Sequence, residues 1–176
     1  MDVPEPVALW WGQEADSPVV AAAVHAGHGV REEIAARLAL SGSDRLREED
    51  LGTAQWATRF PTHVVGGRSR FEVDLNRPRE DAVCLRAADC WDLDVWREPL
   101  TPDMLERSRE AHDVFYSVLG RILDRTEEIF GHFVLYDLHS YNHRRGGPGA
   151  PPADPAVAER WRHVAETLRR GTERLH

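Results

Sequence analysis

Phe133-Val134-Leu135-Tyr136-Asp137-Leu138-His139-Ser140-Tyr141-Asn142-His143-Arg144-Arg145 begins as an apolar run and turns polar within two residues. The first half reads as a buried strand. The second half reads as the mouth of a site at that strand's C-terminal end. On this pattern His139 is a candidate metal ligand, with the other ligands and a substrate clamp supplied by the chain before it.

Working outward, residues 18–30, Pro-Val-Val-Ala-Ala-Ala-Val-His-Ala-Gly-His-Gly-Val, repeat the pattern. Val19 to Val24 predicts a second buried strand, and it ends in His25-Ala26-Gly27-His28-Gly29. Glycines after a strand allow a tight turn and close approach of backbone to a ligand. Two histidines three apart in such a turn can face one point, as zinc requires; the other reading is a pair of loop histidines without a metal. Residues 31–47 carry Ile34, Leu38 and Leu40 on an apolar helical face, stopped by Ser41-Gly42-Ser43. Glu48-Glu49-Asp50 follows, either a solvated helix start or a source of one inward carboxylate.

A strand is predicted near His63-Val64-Val65, closed by Gly66-Gly67. In Arg68 to Pro78, Phe71, Val73 and Leu75 alternate with polar residues as on a strand. Arg70 and Arg77 flank it, and Asn76 sits beside Arg77. A guanidinium fork matches a carboxylate, and the Asn can add a donor to the same anion; the alternative is an edge strand with surface salt bridges. Residues 79–103 read as a long loop in which Ala82 to Leu85 forms a short strand and the tryptophans pack over the core or line the cleft. Thr101-Pro102 opens the longest helix, over 103–130, ended by Gly131. On it His112 reads as a core histidine. Residues 146–155 form a flexible Gly/Pro loop, and 156–175 a final helix.

With 176 residues the chain is expected to form one domain over 1–176. Net charge is −8, and every one of the 22 basic residues is Arg, a balance that argues against nucleic-acid binding. No run approaches the roughly 20 apolar residues of a membrane span. The N-terminus is acidic and Pro-bearing where a secretory leader would be basic, so a cytoplasmic location is expected, with Cys84 and Cys90 as thiols. Strands alternating with helices predict an α/β sheet with the site at the strand ends, so that His25 and His139 become neighbours.

In this order, His25-Ala26-Gly27, Glu49-Asp50, Ser69-Arg70-Phe71-Glu72-Val73-Asp74-Leu75-Asn76-Arg77-Pro78 and Asp137-Leu138-His139-Ser140 resemble the N-formylglutamate amidohydrolase family. Residues 18 to 150 carry the resemblance. That family is similar in fold to the zinc carboxypeptidases and aspartoacylase. The resemblance implies a three-layer sandwich, a mixed sheet flanked by helices, in full or shortened form. It also implies a zinc-dependent hydrolase acting on an N-acyl amino acid or similar small carboxylate. By it His25 and His139 hold zinc, with Asp50 or His28 as third ligand. Asn76 and Arg77 take the substrate carboxylate, Arg70 polarises the scissile carbonyl, and Asp137 orients a ligating imidazole.

One departure stands out. Such hydrolases need a carboxylate general base on a later strand, and Glu159, Glu166 and Glu173 all fall on a helical pattern. Either the chain is shorter than its relatives, or another acid serves, or activity is lost and a metal- and carboxylate-binding protein remains. Glu72 is a candidate substitute, but strand alternation sets it opposite Phe71 and Val73.

Overall fold

A computed structural model describes residues 8–140, which fall within one compact unit. The 146–155 loop, the 156–175 helix and Glu159, Glu166 and Glu173 lie outside the described residues. Four strands form one sheet: β1 (Trp10–Gln13), β2 (Val19–Ala23), β3 (Thr62–Gly66) and β4 (Val134–Asp137), in the order β1-β3-β2-β4. β1 runs antiparallel to β3, whereas β2 is parallel to both β3 and β4. The chain leaves β2 for β3 on one side and then crosses to its other side for β4. The C-terminal ends of three strands therefore share one sheet edge, and the order reverses at β2, where α/β sheets place their sites.

Helices cover both faces of β2 and β3. Val20, Ala22, Val24 and Val64 pack on α4 (Pro102–Phe130) through Ala111, Phe115, Val118, Leu119 and Ile122. Those helical positions recur at spacings of three and four, the stripe an amphipathic helix presents to a core. Ala21, Ala23 and Val65 point the other way, toward Ala57 of α3 (Thr53–Ala57). The alanines keep both faces of β2 flat enough for close helix approach. α4 starts where the Thr101 hydroxyl accepts from the Met104 amide and Pro102 takes the first turn. It ends at Gly131, whose φ of 74° needs glycine. None of the described helices is long and apolar enough to cross a membrane.

Four expectations about strands and helices are corrected. The strand expected to be buried at Phe133 to Tyr136 is exposed: among the described residues β4 pairs with β2 as the last strand in the order, and Val134 and Tyr136 are 46% and 50% exposed. A short apolar run has the same appearance in a central and an edge strand. The 31–47 helix is two short helices, α1 (Glu32–Ala35) and α2 (Gly42–Leu46). Ser41 and Asp44 form a reciprocal capping box, so the Ser-Gly-Ser segment ends one helix and begins the next. Residues 71–75 are a run of turns, all five buried, because Glu72 and Asp74 are ion-paired inside and not solvated between apolar neighbours. Residues 82–85 likewise form no strand.

Cys84 and Cys90 are joined in a disulfide, where thiols were expected. The 3-10 turn Ala87–Asp89 folds the intervening chain back, and the two Cα atoms lie 5.9 Å apart, within bridging range. Closing so short a loop removes denatured-state freedom worth about 2 kcal/mol. Cys84→Ser is expected to lower stability by about that amount. Urea midpoints with and without reductant check it: wild type should shift on reduction and the variant should not.

Candidate metal centre

Each of the three parallel strands delivers one turn to the same sheet edge. His25 follows β2 and is fully buried; His139 follows β4; Asp50 reaches in from the segment before α3. The His25 carbonyl accepts from the Asp50 amide at 2.9 Å, so these two positions are joined through the backbone as well. His25 Nδ1 lies 3.5 Å from Asp50 Oδ2, and His139 Nδ1 lies 3.2 Å from the same oxygen. The two imidazole centroids are 5.0 Å apart. One ligand atom from each of His25, Asp50 and His139 falls within 4.8 Å of the others, a separation that one cation can span.

The donors fit a cation. His25 Nε2 donates to Asp74 Oδ1 at 2.6 Å, which leaves the lone pair on Nδ1 facing the triad. That Nδ1 is buried without a hydrogen-bond partner. A lone pair set beside a carboxylate is repulsive until something positive lies between them. Two imidazoles and one carboxylate are a donor set that catalytic zinc uses, with a position left open. Asp137 Oδ2 lies 2.9 Å from His139 Nε2, as an ion pair more than an aligned hydrogen bond. Asp137 and Asp50 together raise the His139 pKa to about 9, so in metal-free protein a proton supplies the positive charge between the two acids. Burial pushes the Asp50 carboxyl up, but hydrogen bonds from His139 and Ser140 outweigh it and hold the pKa well below the usual range. Ser140 Oγ donates to Asp50 Oδ1 at 2.5 Å.

His28 does not join the triad. Its Nδ1 pairs with Glu49 and its Nε2 with Arg45 Nη2 at 3.0 Å, and its side chain is 38% exposed. Glu49 is buried and also accepts from Ser69 Oγ at 2.5 Å, so the acidic pair splits, Glu49 to this side cluster and Asp50 to the triad.

The residue that sequence reasoning passed over is Asp74. Its Oδ1 accepts from His25 and from the Asn76 amide at 3.0 Å. Its Oδ2 accepts from Arg70 Nη2 at 2.9 Å and lies 3.4 Å from Arg77 Nε. One carboxylate therefore bridges the triad's imidazole at His25 and the arginine pair. Burial opposes its ionisation, but the hydrogen bond from His25 and the charge of Arg70 dominate and hold its pKa well below the ordinary range. The signal lies in Asp74-Leu75-Asn76-Arg77, an acid two residues before the Asn-Arg pair. Asn76 is exposed, and Arg77 is half-buried with Nη2 donating to the Asp89 carbonyl at 2.6 Å. Arg70 is mostly buried and also donates to the Glu48 carbonyl at 3.1 Å. Glu72 is fully buried and held by Arg31 at 2.8 Å, with Arg68 3.8 Å away.

No solved structure matches this chain. An N-formylglutamate deformylase of Pseudomonas putida is 34% identical to it over 88 residues, 44% of this chain and 33% of that protein, so the likeness spans about a third of the relative's length. A family model described as N-formylglutamate amidohydrolase matches residues 17–173. That match runs through the triad, the Asp74 bridge and both arginines, and the chain belongs to the N-formylglutamate amidohydrolase family.

Proposed function

We propose that this chain hydrolyses the amide bond of an N-formyl or similar N-acyl amino acid in a zinc-dependent reaction. The observation that carries the reading is the Asp74 carboxylate, which ties His25 of the triad to Arg70 and Arg77. A cation site and an anion clamp sharing one buried acid suit a small substrate with a carboxylate at one end and an amide carbonyl beside it. The family membership and the relative's name supply the amide and the formyl group.

His25, Asp50 and His139 would hold the metal, and Asp137 would fix the His139 ring. Zinc supplies Lewis acidity and brings the pKa of a water down to about 7. Arg77 and Asn76 would take the substrate carboxylate. Arg70, with one buried N–H unpaired, would face the developing oxyanion, an electrostatic role worth about 3 kcal/mol. The helix-covered mixed sheet with its site at the strand ends also suits the zinc carboxypeptidase type of three-layer sandwich, which is our assignment for the fold. The partner on this reading is a small carboxylate, not a nucleic acid or a membrane.

Glu72 favours a second reading. The acid considered as substitute base is locked to Arg31 and Arg68, so the described residues keep metal and clamp without it. A protein that binds a small carboxylate without turnover would look like this. Metal analysis of the zinc-reconstituted protein, with a panel of N-formyl and N-acetyl amino acids, separates the two. Stoichiometric metal with turnover of N-formyl dicarboxylic amino acids is the expected result. Metal with binding and no turnover supports the second reading. Absence of stoichiometric metal after reconstitution sinks both.

A further inference from the structure

Trp91 and Asp92 both have backbone in the left-handed region, at φ of 56° and 61°. Side chains other than glycine's rarely adopt it, and two in succession need compensation from their surroundings. Part of it is visible. Cys90, the residue before Trp91, is tied to Cys84, the Asp92 amide donates to the Ala87 carbonyl, and the Leu93 amide to that of Cys90. The turn so fixed points the indole at the anion clamp. Arg70 stacks over the Trp91 ring at 4.4 Å from its centroid, and Arg77 approaches the same ring at 5.9 Å. Phe71 meets the indole edge-on, with centroids 6.4 Å apart.

Two guanidinium groups share one acid here. Both converge on Asp74 Oδ2, so the cluster keeps an excess positive charge. Like charges held together need another source of stabilisation, and the negative face of an indole provides it. Arg70 Nε is buried with no hydrogen-bond partner, a donor left for an anion. The disulfide loop touches the clamp a second time, where the Asp89 carbonyl accepts from Arg77.

Resting on the function proposed above, we infer that Trp91 is the positioning residue of the arginine pair: its indole, set by the left-handed turn after Cys90, holds Arg77 where it takes the substrate's carboxylate and Arg70 where it faces the scissile carbonyl. Trp91 acts through the arginines and takes no part in bond breaking, so its loss weakens carboxylate capture through Arg77 and turnover through Arg70. Trp91→Leu keeps apolar bulk and removes the π face; Trp91→Phe keeps a smaller one. The probes are free L-glutamate, titrated calorimetrically into metal-free and zinc-loaded protein, and N-formyl-L-glutamate hydrolysis.

Expected for Trp91→Leu are about tenfold weaker glutamate binding in both metal states, a KM raised to match, and a kcat lowered by up to about tenfold. Trp91→Phe should recover most of the loss. Glutamate affinity and KM equal to wild type in Trp91→Leu overturn the inference while wild-type hydrolysis leaves the functional reading standing. A wild type that neither binds glutamate nor hydrolyses the substrate ends both. If circular dichroism shows Trp91→Leu unfolded, Trp91→Met, which adapts to irregular space, takes its place with the same criteria.

Discussion

Asp50→Ala is expected to abolish stoichiometric metal binding and, with it, hydrolysis of N-formyl substrates. Among the described residues Asp50 is the one acid that faces both imidazoles, 3.5 Å from His25 Nδ1 and 3.2 Å from His139 Nδ1. Without it, two neutral ligands remain, too few for a catalytic zinc site. The loss should exceed the roughly 10–100-fold that removal of an outer partner costs, which is the effect expected of Asp137→Ala. His28→Ala is the informative contrast. The sequence leaves Asp50 and His28 as rival third ligands, and the structure commits His28 to Glu49 and Arg45. Metal content measured by atomic emission should therefore be that of wild type in His28→Ala and near zero in Asp50→Ala. The reverse pattern would replace Asp50 by His28 in the proposed ligand set.

The elements that carry the site were legible because each joins a hydrophobic pattern to a chemical one. Val19 to Val24 running into His25, and Phe133 to Tyr136 running into His139, are strands ending in candidate ligands whether they lie at the centre or the edge of a sheet. Burial was not legible for β4, since four apolar residues do not reveal how many neighbours a strand has. Alternation misled at Phe71 to Leu75. A polar residue every second position signals a solvated face only when nothing inside pairs with it. Here Arg31 takes Glu72, while His25 and Arg70 take Asp74. Those pairings join residues up to 49 positions apart, which no local window contains. The same holds for the split of Glu49 from Asp50: adjacent acids turn to different partners because Ser69 and His28 lie on one side and His139 and Ser140 on the other. The disulfide was hidden for a different reason. A spacing of six does not show whether the chain between folds back, and the 3-10 turn at Ala87–Asp89 is what makes it do so.

Gly27→Ala is expected to unfold or severely destabilise the protein, by at least about 3 kcal/mol, and to take metal affinity with it. The need for glycine here is space. A Cβ on Gly27 would lie 2.3 Å from the Gly67 carbonyl carbon and 2.6 Å from the Arg68 nitrogen. Both are backbone atoms of the turn after β3 and cannot swing away as a flexible side chain would. The turns after β2 and β3 are thus in direct backbone contact, locked further by the Ser69 amide donating to the Gly29 carbonyl at 2.8 Å. Prying them apart separates His25, on one turn, from Arg70 and Asp74, which follow the other, and breaks the 2.6 Å bond that sets the His25 tautomer. Gly120→Ala is the control. A Cβ at Gly120, within α4, meets nothing within 4 Å. Replacing a helical glycine by alanine there should stabilise the protein by up to about 1 kcal/mol. Denaturant unfolding of the three proteins, with and without zinc, checks both. Wild type should gain stability from zinc, Gly120→Ala should gain as much from a higher starting point, and Gly27→Ala should gain little. Wild-type stability in Gly27→Ala would mean that the two turns stand farther apart than this packing requires, and that His25 reaches Asp74 from a different backbone position.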